Sequence, residues 1–110
     1  MGKLDQRVAI VTGAGSGLGR GIALRFAQEG AKVAVCDIRE EAAMETLELI
    51  RSQGGEAIPI KANVASAEEV KGMVDTTLQQ YGRIDILLNN AGLPQAATNV
   101  EDVTEETRDR

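Results

Sequence analysis

Glycine and small polar residues crowd one short stretch of the chain, residues 12–19, directly after the apolar run at residues 8–11. Glycines stand at positions 13, 15, 17 and 19, and they let the backbone adopt positive φ and approach a ligand closely. A helix that begins here directs its free N–H groups and the positive end of its dipole at the loop, which suits a phosphate. The stretch predicts a strand, a phosphate-binding turn and a helix. For a glycine cluster taken alone, an ordinary tight turn is an equal alternative.

An acidic residue stands at the end of the second apolar run, residues 32–36. Asp37 lies 24 residues beyond Gly13, and an acid about 20 residues after a glycine turn can accept hydrogen bonds from both ribose hydroxyls of an adenosine. A carboxylate there would repel a 2′-phosphate, which favours NAD over NADP, although the nearby Arg39 could accommodate that phosphate. Taken alone, Asp37 could equally be a turn residue or the N-cap of the next helix.

Amide side chains follow the next two apolar runs. Asn63 and Val64 come after the third run, where an amide could hydrogen-bond an adenine edge and an apolar side chain could pack on its face. Asn89-Asn90-Ala91-Gly92 follows the fourth run, and its small residues allow close approach to a nucleotide while its amides could tie neighbouring strands together. The alternatives are a loop asparagine in the first case and an asparagine-glycine turn in the second.

Strands and helices must alternate to place these residues together. Apolar runs predict strands at residues 8–11, 32–36, 57–60 and 84–88, without the polar alternation of a half-exposed sheet. Helical periodicity predicts helices at residues 17–29, 40–52 and 66–81, and a further helix beginning at residue 104. This alternation is typical of βαβ units with right-handed crossovers. We predict an α/β fold, a doubly wound parallel sheet of the Rossmann-like type with strand order 3-2-1-4.

Local signals support the order and the boundaries of these elements. Pro59 cannot donate to a ladder, so the third strand is predicted at a sheet edge. Gly30, Gly54 and Gly82 are predicted to end the three helices, and Ser66 with Glu69 predicts a capping box at the start of the third. The predicted inner faces are Leu18, Ile22, Ala23, Phe26 and Ala27 in the first helix, Ala43, Leu47 and Ile50 in the second, and Val70, Met73, Val74 and Leu78 in the third.

Composition bounds the class of protein. The chain has 110 residues and a net charge of −5, and its acids fall mainly on predicted helix faces exposed to solvent. It has no basic patch and few aromatic residues, so we expect no nucleic-acid partner. It has no apolar run of membrane-spanning length and no signal-peptide core, so we expect a soluble, cytoplasmic protein. The single cysteine, Cys36, lies in an apolar run and is expected to be buried. No metal site is predicted.

Taken together, the motifs resemble those of the short-chain dehydrogenase/reductase family. T-G-A-G-S-G-L-G, the acid at Asp37, Asn63-Val64 and N-N-A-G occur in that family's order and spacing over essentially the whole chain. Asn63 and Arg108 depart mildly from the family pattern, which more often has aspartate and tryptophan there. Ser16 stands where members that prefer NADP often carry a basic residue, which strengthens the prediction of NAD.

The resemblance implies a role for each motif. Asp37 would bind the adenosine ribose. The pyrophosphate would be contacted by Gly13, Ser16, Gly17, Leu18 and Gly19. The adenine would be contacted by Asn63 and Val64, and the nicotinamide-side ribose by Asn90, Ala91 and Gly92.

The family's reaction residues cannot be placed in this chain. The only tyrosine, Tyr81, is followed four residues later by Asp85 rather than lysine, and the chain has no histidine. Tyr81 falls on the last turn of a predicted helix, where a packing role is expected. We therefore predict a single partial dinucleotide-binding domain over residues 1–110, the front half of an NAD-dependent dehydrogenase that acts on a small alcohol or ketone.

Two alternatives from other classes remain open. The first is a non-catalytic NAD-binding module, which 110 residues without the reaction residues would also describe. The second is an S-adenosylmethionine-dependent methyltransferase, which also places a glycine-rich loop after its first strand and an acid after its second; the glycine spacing and N-N-A-G argue against it. A sheet that stops after its fourth strand would also expose an apolar edge, so we predict that the chain is weakly stable, self-associates through that edge, or is a piece of a longer protein.

Overall fold

Four parallel strands and three helices make up the computed structural model, which describes residues 2–90. The strands are β1 (Val8–Thr12), β2 (Lys32–Asp37), β3 (Glu56–Lys61) and β4 (Ile86–Leu88), and they form one sheet in the order β3-β2-β1-β4. The connections are α1 (Gly17–Gln28), α2 (Glu40–Ser52) and α3 (Ala67–Tyr81). The predicted α/β fold and strand order are confirmed. The helix predicted from residue 104 lies outside the described residues.

The helices cover both faces of the sheet, as in a doubly wound fold. Val11, Val33 and Val35 point to the face covered by α1 and α2, where Leu47 and Ile50 are buried. Ile10, Ala34 and Cys36 alternate with them and point to the face covered by α3, against Met73. Full burial of one such aliphatic side chain contributes about 1.5–3 kcal/mol to folding. The unbroken apolar runs of β1 and β2 therefore reflect strands that are buried on both faces.

The edge position of β3 confirms the prediction from Pro59. Pro59 pairs with Val35 of β2, and β3 has no partner on its other side within the described chain. The strand extends one residue further at each end than predicted, because the pairing with β2 continues from Glu56 opposite Lys32 to Lys61 opposite Asp37.

The strand β4 is shorter than predicted, beginning at Ile86 rather than at residue 84. Asp85 instead makes two hydrogen bonds with Val8. Its N–H donates to the Val8 carbonyl at 2.8 Å, and its carboxylate accepts from the Val8 N–H at 2.8 Å. Burial would raise the pKa of Asp85, but the hydrogen bonds from Arg83 and from the Val8 N–H hold that pKa below its usual range. The sheet edge at β4 is thus three residues long, and self-association through it stays a prediction.

The predicted capping box at the start of α3 is half correct. The Ser66 hydroxyl accepts a hydrogen bond from the Glu69 N–H at 3.3 Å, as predicted. The Glu69 carboxylate does not return to Ser66; it accepts from the Asn63 N–H at 2.7 Å, while the Ser66 N–H donates to the Asn63 carbonyl. Gly82 ends α3 in the left-handed conformation, as the sequence predicts.

Two of the predicted inward-facing leucines are exposed. Leu18 is 49% exposed and Leu78 is 42% exposed, because Leu18 lies in the first turn of α1 and Thr77 takes the inward position one turn after Met73. The Thr77 hydroxyl donates to the Met73 carbonyl at 2.9 Å. The remaining members of the three predicted faces are buried or packed against the core.

Cys36 is buried, as predicted, with 1% of its surface exposed. Burial and the neighbouring charge of Asp37 raise the pKa of its thiol to about 12, so it carries no thiolate at neutral pH. Within residues 2–90, no group of three or more histidine, cysteine or acidic residues is arranged to hold a metal ion. The described helices are all too short or too polar to cross a membrane.

Candidate functional site

A cleft of about 620 Å³ opens at the carboxyl ends of the strands. Its size falls within the range of small-molecule sites, roughly 300–1,000 Å³. It lies where the strand order reverses between β1 and β4, the position at which doubly wound sheets bind ligands. The residues that line it are Gly13, Ser16, Asp37, Ile38, Arg39, Ala62, Asn63, Val64, Ala65, Asn89 and Asn90.

The glycine-rich loop forms one wall of the cleft and packs closely against the start of α1. Gly17 has a φ of +57°, a conformation that residues with a Cβ atom rarely adopt. A Cβ atom on Gly19 would lie 2.0 Å from the Gly13 carbonyl oxygen. A Cβ atom on Gly15 would lie 2.5 Å from the Cβ of Ala42. The loop can therefore take this path only with glycine at these positions.

The start of α1 is left open toward the cleft. Ser16 is the N-cap residue, with extended backbone, but its side chain makes no capping hydrogen bond within residues 2–90. The first turn of α1 also contains no acidic residue. The free N–H groups and the positive end of the helix dipole can therefore receive an anionic group such as a phosphate.

Asp37 lies beside the glycine-rich loop, at the end of β2, and is 8% exposed. One carboxylate oxygen accepts from the Gly15 N–H at 2.8 Å, and the other accepts from the Arg39 N–H at 2.9 Å. A carboxylate has about four lone-pair positions, so these two bonds leave acceptor capacity for further donors. The N-cap of α2 is Arg39, so the alternative in which Asp37 caps that helix is wrong. Asp37 is the last residue of β2 and also lines the cleft.

Asparagine side chains join the end of β4 to the end of β1. The Thr12 hydroxyl donates to the Asn89 side-chain oxygen at 2.9 Å and accepts from the Asn90 N–H at 2.9 Å. The Asn90 side-chain nitrogen lies 3.5 Å from the Gly13 carbonyl oxygen. The buried side-chain oxygen of Asn90 has no hydrogen-bond partner in the described part of the chain. These contacts agree with the expectation that the amides tie neighbouring strands together.

Asn63 and Val64 line the far end of the cleft beside Ala65. The Asn63 side-chain oxygen accepts from the Ala65 N–H at 2.9 Å, which forms an Asx turn. The alternative that Asn63 is a loop asparagine is therefore correct for its side-chain oxygen, which stabilises the turn. The Asn63 side-chain nitrogen remains a donor that a nucleobase edge could use.

The cleft brings together six of the predicted residues, and three others take supporting places. Gly17 and Leu18 lie exposed in the first turn of α1, and Gly19 is buried behind the loop. Ala91 and Gly92 lie outside the described residues. The structure adds lining residues that sequence reasoning missed, of which Ile38 is 56% exposed. Its one signal is its position, as an apolar residue directly after Asp37.

Tyr81 lies far from the cleft, at the amino ends of the strands. Its ring is 5.5 Å from the Lys32 ammonium, at the start of β2. Its buried hydroxyl has no hydrogen-bond partner among residues 2–90. Burial, followed by the charge of Glu56, raises the pKa of this hydroxyl to about 12. A packing role for Tyr81 agrees with this position.

Known proteins are similar to this chain in sequence and in fold. The short chain dehydrogenase family matches residues 7–110. An uncharacterized oxidoreductase of Thermotoga maritima is 47% identical over 104 residues, which cover 94% of this chain and 40% of that protein. The 7α-hydroxysteroid dehydrogenase of Escherichia coli K12 is 41% identical over 90 residues, covering 82% of this chain and 35% of that protein.

A solved structure of a 7α-hydroxysteroid dehydrogenase complexed with NADH and 7-oxo glycochenodeoxycholic acid superposes with a TM-score of 0.78. It is 32% identical, and the match covers 94% of this chain and 44% of that one. The chain thus spans about two fifths of the length of the curated relatives it matches. By its glycine-rich loop, its sheet order and these matches, the chain belongs to the short-chain dehydrogenase/reductase family, whose oxidoreductases bind a nicotinamide cofactor.

Proposed function

We propose that this chain binds NAD and forms the cofactor-holding part of a short-chain dehydrogenase/reductase that acts on a small alcohol or ketone. The observation that carries this proposal is the position of Asp37 in the cleft, where it accepts from the Gly15 N–H of the glycine loop that leads into the uncapped start of α1. A dinucleotide needs an anion site for its pyrophosphate and hydrogen-bond acceptors for its adenosine ribose. The uncapped start of α1 and the Asp37 carboxylate offer these two features within one cleft.

The proposed contacts follow the lining of the cleft. Asp37 would accept hydrogen bonds from the adenosine ribose, and Asn63 and Val64 would contact the adenine. The glycine loop would surround the pyrophosphate, through Gly13, Ser16, Gly17, Leu18 and Gly19. The nicotinamide-side ribose would be supported by Asn90, Ala91 and Gly92, of which the last two lie outside the described residues.

The preference for NAD over NADP rests on charge. The two hydrogen bonds already made by Asp37 are both accepted from backbone N–H groups, and they leave lone pairs for two hydroxyl donors. A 2′-phosphate would bring a second anion into contact with this carboxylate, and the repulsion is strong in a partly buried site. Arg39 also lines the cleft, so its charge works against this preference.

Bound NAD supplies a hydride acceptor, or NADH a hydride donor, at C4 of its nicotinamide ring. The residues of this chain bind and orient the cofactor: the Thr12 hydroxyl and Asn89 hold the ends of β1 and β4 together where the nicotinamide half would lie. The tyrosine and lysine that would move the proton are absent from the 110 residues. We therefore assign the chain a binding role and propose that one dinucleotide-binding domain covers it.

The remaining alternatives differ in what else they bind. A non-catalytic NAD-binding module would bind the same cofactor without a substrate, and the full-length protein's turnover separates the two. The methyltransferase alternative is disfavoured by the family match over residues 7–110, and competition between NADH and S-adenosylmethionine tests it directly.

The experiment that tests the proposal compares NADH and NADPH binding to the chain by fluorescence. We expect NADH to bind at least about tenfold more tightly than NADPH, and Asp37→Asn to reduce that ratio because it removes the charge. Asp75→Asn is the matched control: it removes an exposed carboxylate on α3 that pairs with Lys71, so the ratio should not change. Equal affinity for the two cofactors would contradict the NAD preference, and a folded chain that binds neither would contradict the proposed function.

A further inference from the structure

Two carbonyl groups of the glycine loop accept hydrogen bonds from side chains of α1 and α2. The Thr46 hydroxyl donates to the Ala14 carbonyl oxygen at 2.7 Å. The Arg20 guanidinium donates through one nitrogen to the Gly15 carbonyl oxygen and through Nε to the Thr46 hydroxyl at 2.9 Å. We call Arg20 and Thr46 the loop clamp.

The two residues of the loop clamp are buried or partly buried. Thr46 is fully buried, with 0% of its surface exposed, and its hydroxyl donates one hydrogen bond and accepts one. The Arg20 side chain is 28% exposed and pairs with the Glu45 carboxylate at 3.0 Å. This ion pair offsets the charge of Arg20, so its contribution to an anion site would come through geometry more than through long-range attraction.

Holding these carbonyls also sets the direction of the N–H groups that follow them. A trans peptide is planar, and its C=O and N–H point in opposite directions. With the Gly15 carbonyl turned toward Arg20, the Ser16 N–H of the same peptide points away from the Arg20 guanidinium, and Ser16 itself lines the cleft. With the Ala14 carbonyl turned toward Thr46, the Gly15 N–H reaches Asp37 at 2.8 Å.

We infer that Arg20 and Thr46 are positioning residues for the pyrophosphate of the bound cofactor, an inference that rests on the proposed function. They keep the Ala14 and Gly15 carbonyl oxygens turned away from the anion. Arg20 thereby leaves the Ser16 N–H to face the anion, while Thr46 holds the peptide whose N–H donates to Asp37. A peptide flip would present an oxygen to the phosphate in place of an N–H. The competing interpretation is that the clamp only joins α1 to α2 and affects stability alone.

Paired threonine variants distinguish the two interpretations. Thr46→Val removes the hydroxyl at nearly constant volume, and Thr46→Ser keeps it. Thr77→Val is the matched control, because Thr77 is also 0% exposed but its hydroxyl bonds to the Met73 carbonyl of its own helix. We expect both valine variants to lower the urea midpoint. Only Thr46→Val should weaken NADH binding, by about three- to tenfold, and Thr46→Ser should restore it.

Arg20→Lys tests the clamp's geometry separately from its charge. Lysine keeps the positive charge but lacks the planar fork that reaches two acceptors. We expect Arg20→Lys to weaken NADH binding to a similar degree as Thr46→Val. Wild-type affinity in this variant would contradict a positioning role for Arg20.

Amide hydrogen exchange of the ligand-free chain provides a measurement that does not depend on the cofactor. The N–H groups of Ala14 and Gly15 are hydrogen-bonded to Cys36 and Asp37, so their exchange reports the order of the loop. We expect faster exchange at both in Thr46→Val than in Thr77→Val. Equal exchange together with equal NADH affinity would overturn the inference. A folded wild-type chain that fails to bind NADH would contradict the proposed function, while the exchange result alone still decides whether the clamp orders the loop.

Discussion

The helices α1 and α3 both begin at the carboxyl edge of the sheet, and both have serine as the N-cap residue, yet their first turns are built differently. The Ser66 hydroxyl accepts from the Glu69 N–H, and Glu68 and Glu69 place negative charge in the first turn of α3. The Ser16 side chain makes no capping bond within the described residues, and the first turn of α1 has no acid. Ser66 thus satisfies one N–H group at the start of α3, whereas Ser16 provides no such bond at the start of α1 within the described residues.

The difference shows that serine at an N-cap position can cap its helix, as at α3, or leave the helix start uncapped, as at α1. A helix start presents four N–H groups without partners inside the helix, and either side chains or a ligand can satisfy them. At α3, the Ser66 hydroxyl satisfies one of them, the Glu69 N–H, which stabilises the helix. At α1, close packing by glycine brings the backbone to the cleft and keeps side chains out of it. Stability and binding should therefore respond separately to changes at the two positions.

The largest expected effect comes from adding a methyl group in α1. Gly19→Ala would place a Cβ atom 2.0 Å from the Gly13 carbonyl oxygen, and a backbone atom cannot move aside as a side chain can. We expect a loss of about 3 kcal/mol or more in the free energy of unfolding, measured by urea denaturation, together with loss of NADH binding.

Gly72→Ala in α3 is the control for that substitution. A Cβ atom there meets nothing within 4 Å, so the variant should gain about 0.5–1 kcal/mol from the better helix propensity of alanine. A Gly19→Ala chain as stable as Gly72→Ala would show that the close approach of α1 to the loop is not required.

An acid at the start of α1 should move stability and binding in opposite directions. Ser16→Asp adds a capping acceptor and a negative charge at the positive end of the helix, which should stabilise folding by up to about 1 kcal/mol. The same charge should repel the pyrophosphate and weaken NADH binding about tenfold, less at high salt. Titration at two salt concentrations measures this.

Ser66→Asp makes the same change at α3 and should leave NADH affinity unaltered, since that helix start already carries acids. Weakened binding in Ser66→Asp equal to that in Ser16→Asp would show that the effect is general charge rather than contact at α1.

The smallest effect expected is in the two alanine variants. Ser66→Ala loses the capping bond and should lower the free energy of unfolding by about 1 kcal/mol. Ser16→Ala loses no capping bond and should change it by less than about 0.5 kcal/mol. Parallel urea titrations compare the two. A larger loss in Ser16→Ala would mean that its hydroxyl does cap α1 in solution.

Much of the candidate site could be predicted because its signals are local. Each predicted lining residue lies in the short segment that follows an apolar run, and the carboxyl ends of parallel strands lie at one edge of the sheet whatever the details of packing. Ile38 was missed because the apolar run at residues 32–36 does not indicate whether a side chain that follows it is exposed in the cleft. The hydrogen bond of Asp37 to the Gly15 N–H joins residues 22 apart, and no local pattern indicates it.

The sequence by itself determined the order of the elements, the edge position of β3 and the places where the helices end, because apolar periodicity, proline and glycine act within a few residues of themselves. Only the tertiary structure decided which side chains satisfy which backbone groups: Glu69 bonds to Asn63 instead of closing the capping box, and Thr46 bonds to Ala14 from 32 residues away. These choices depend on how α2 and α3 pack against the sheet, which brings distant donors and acceptors together.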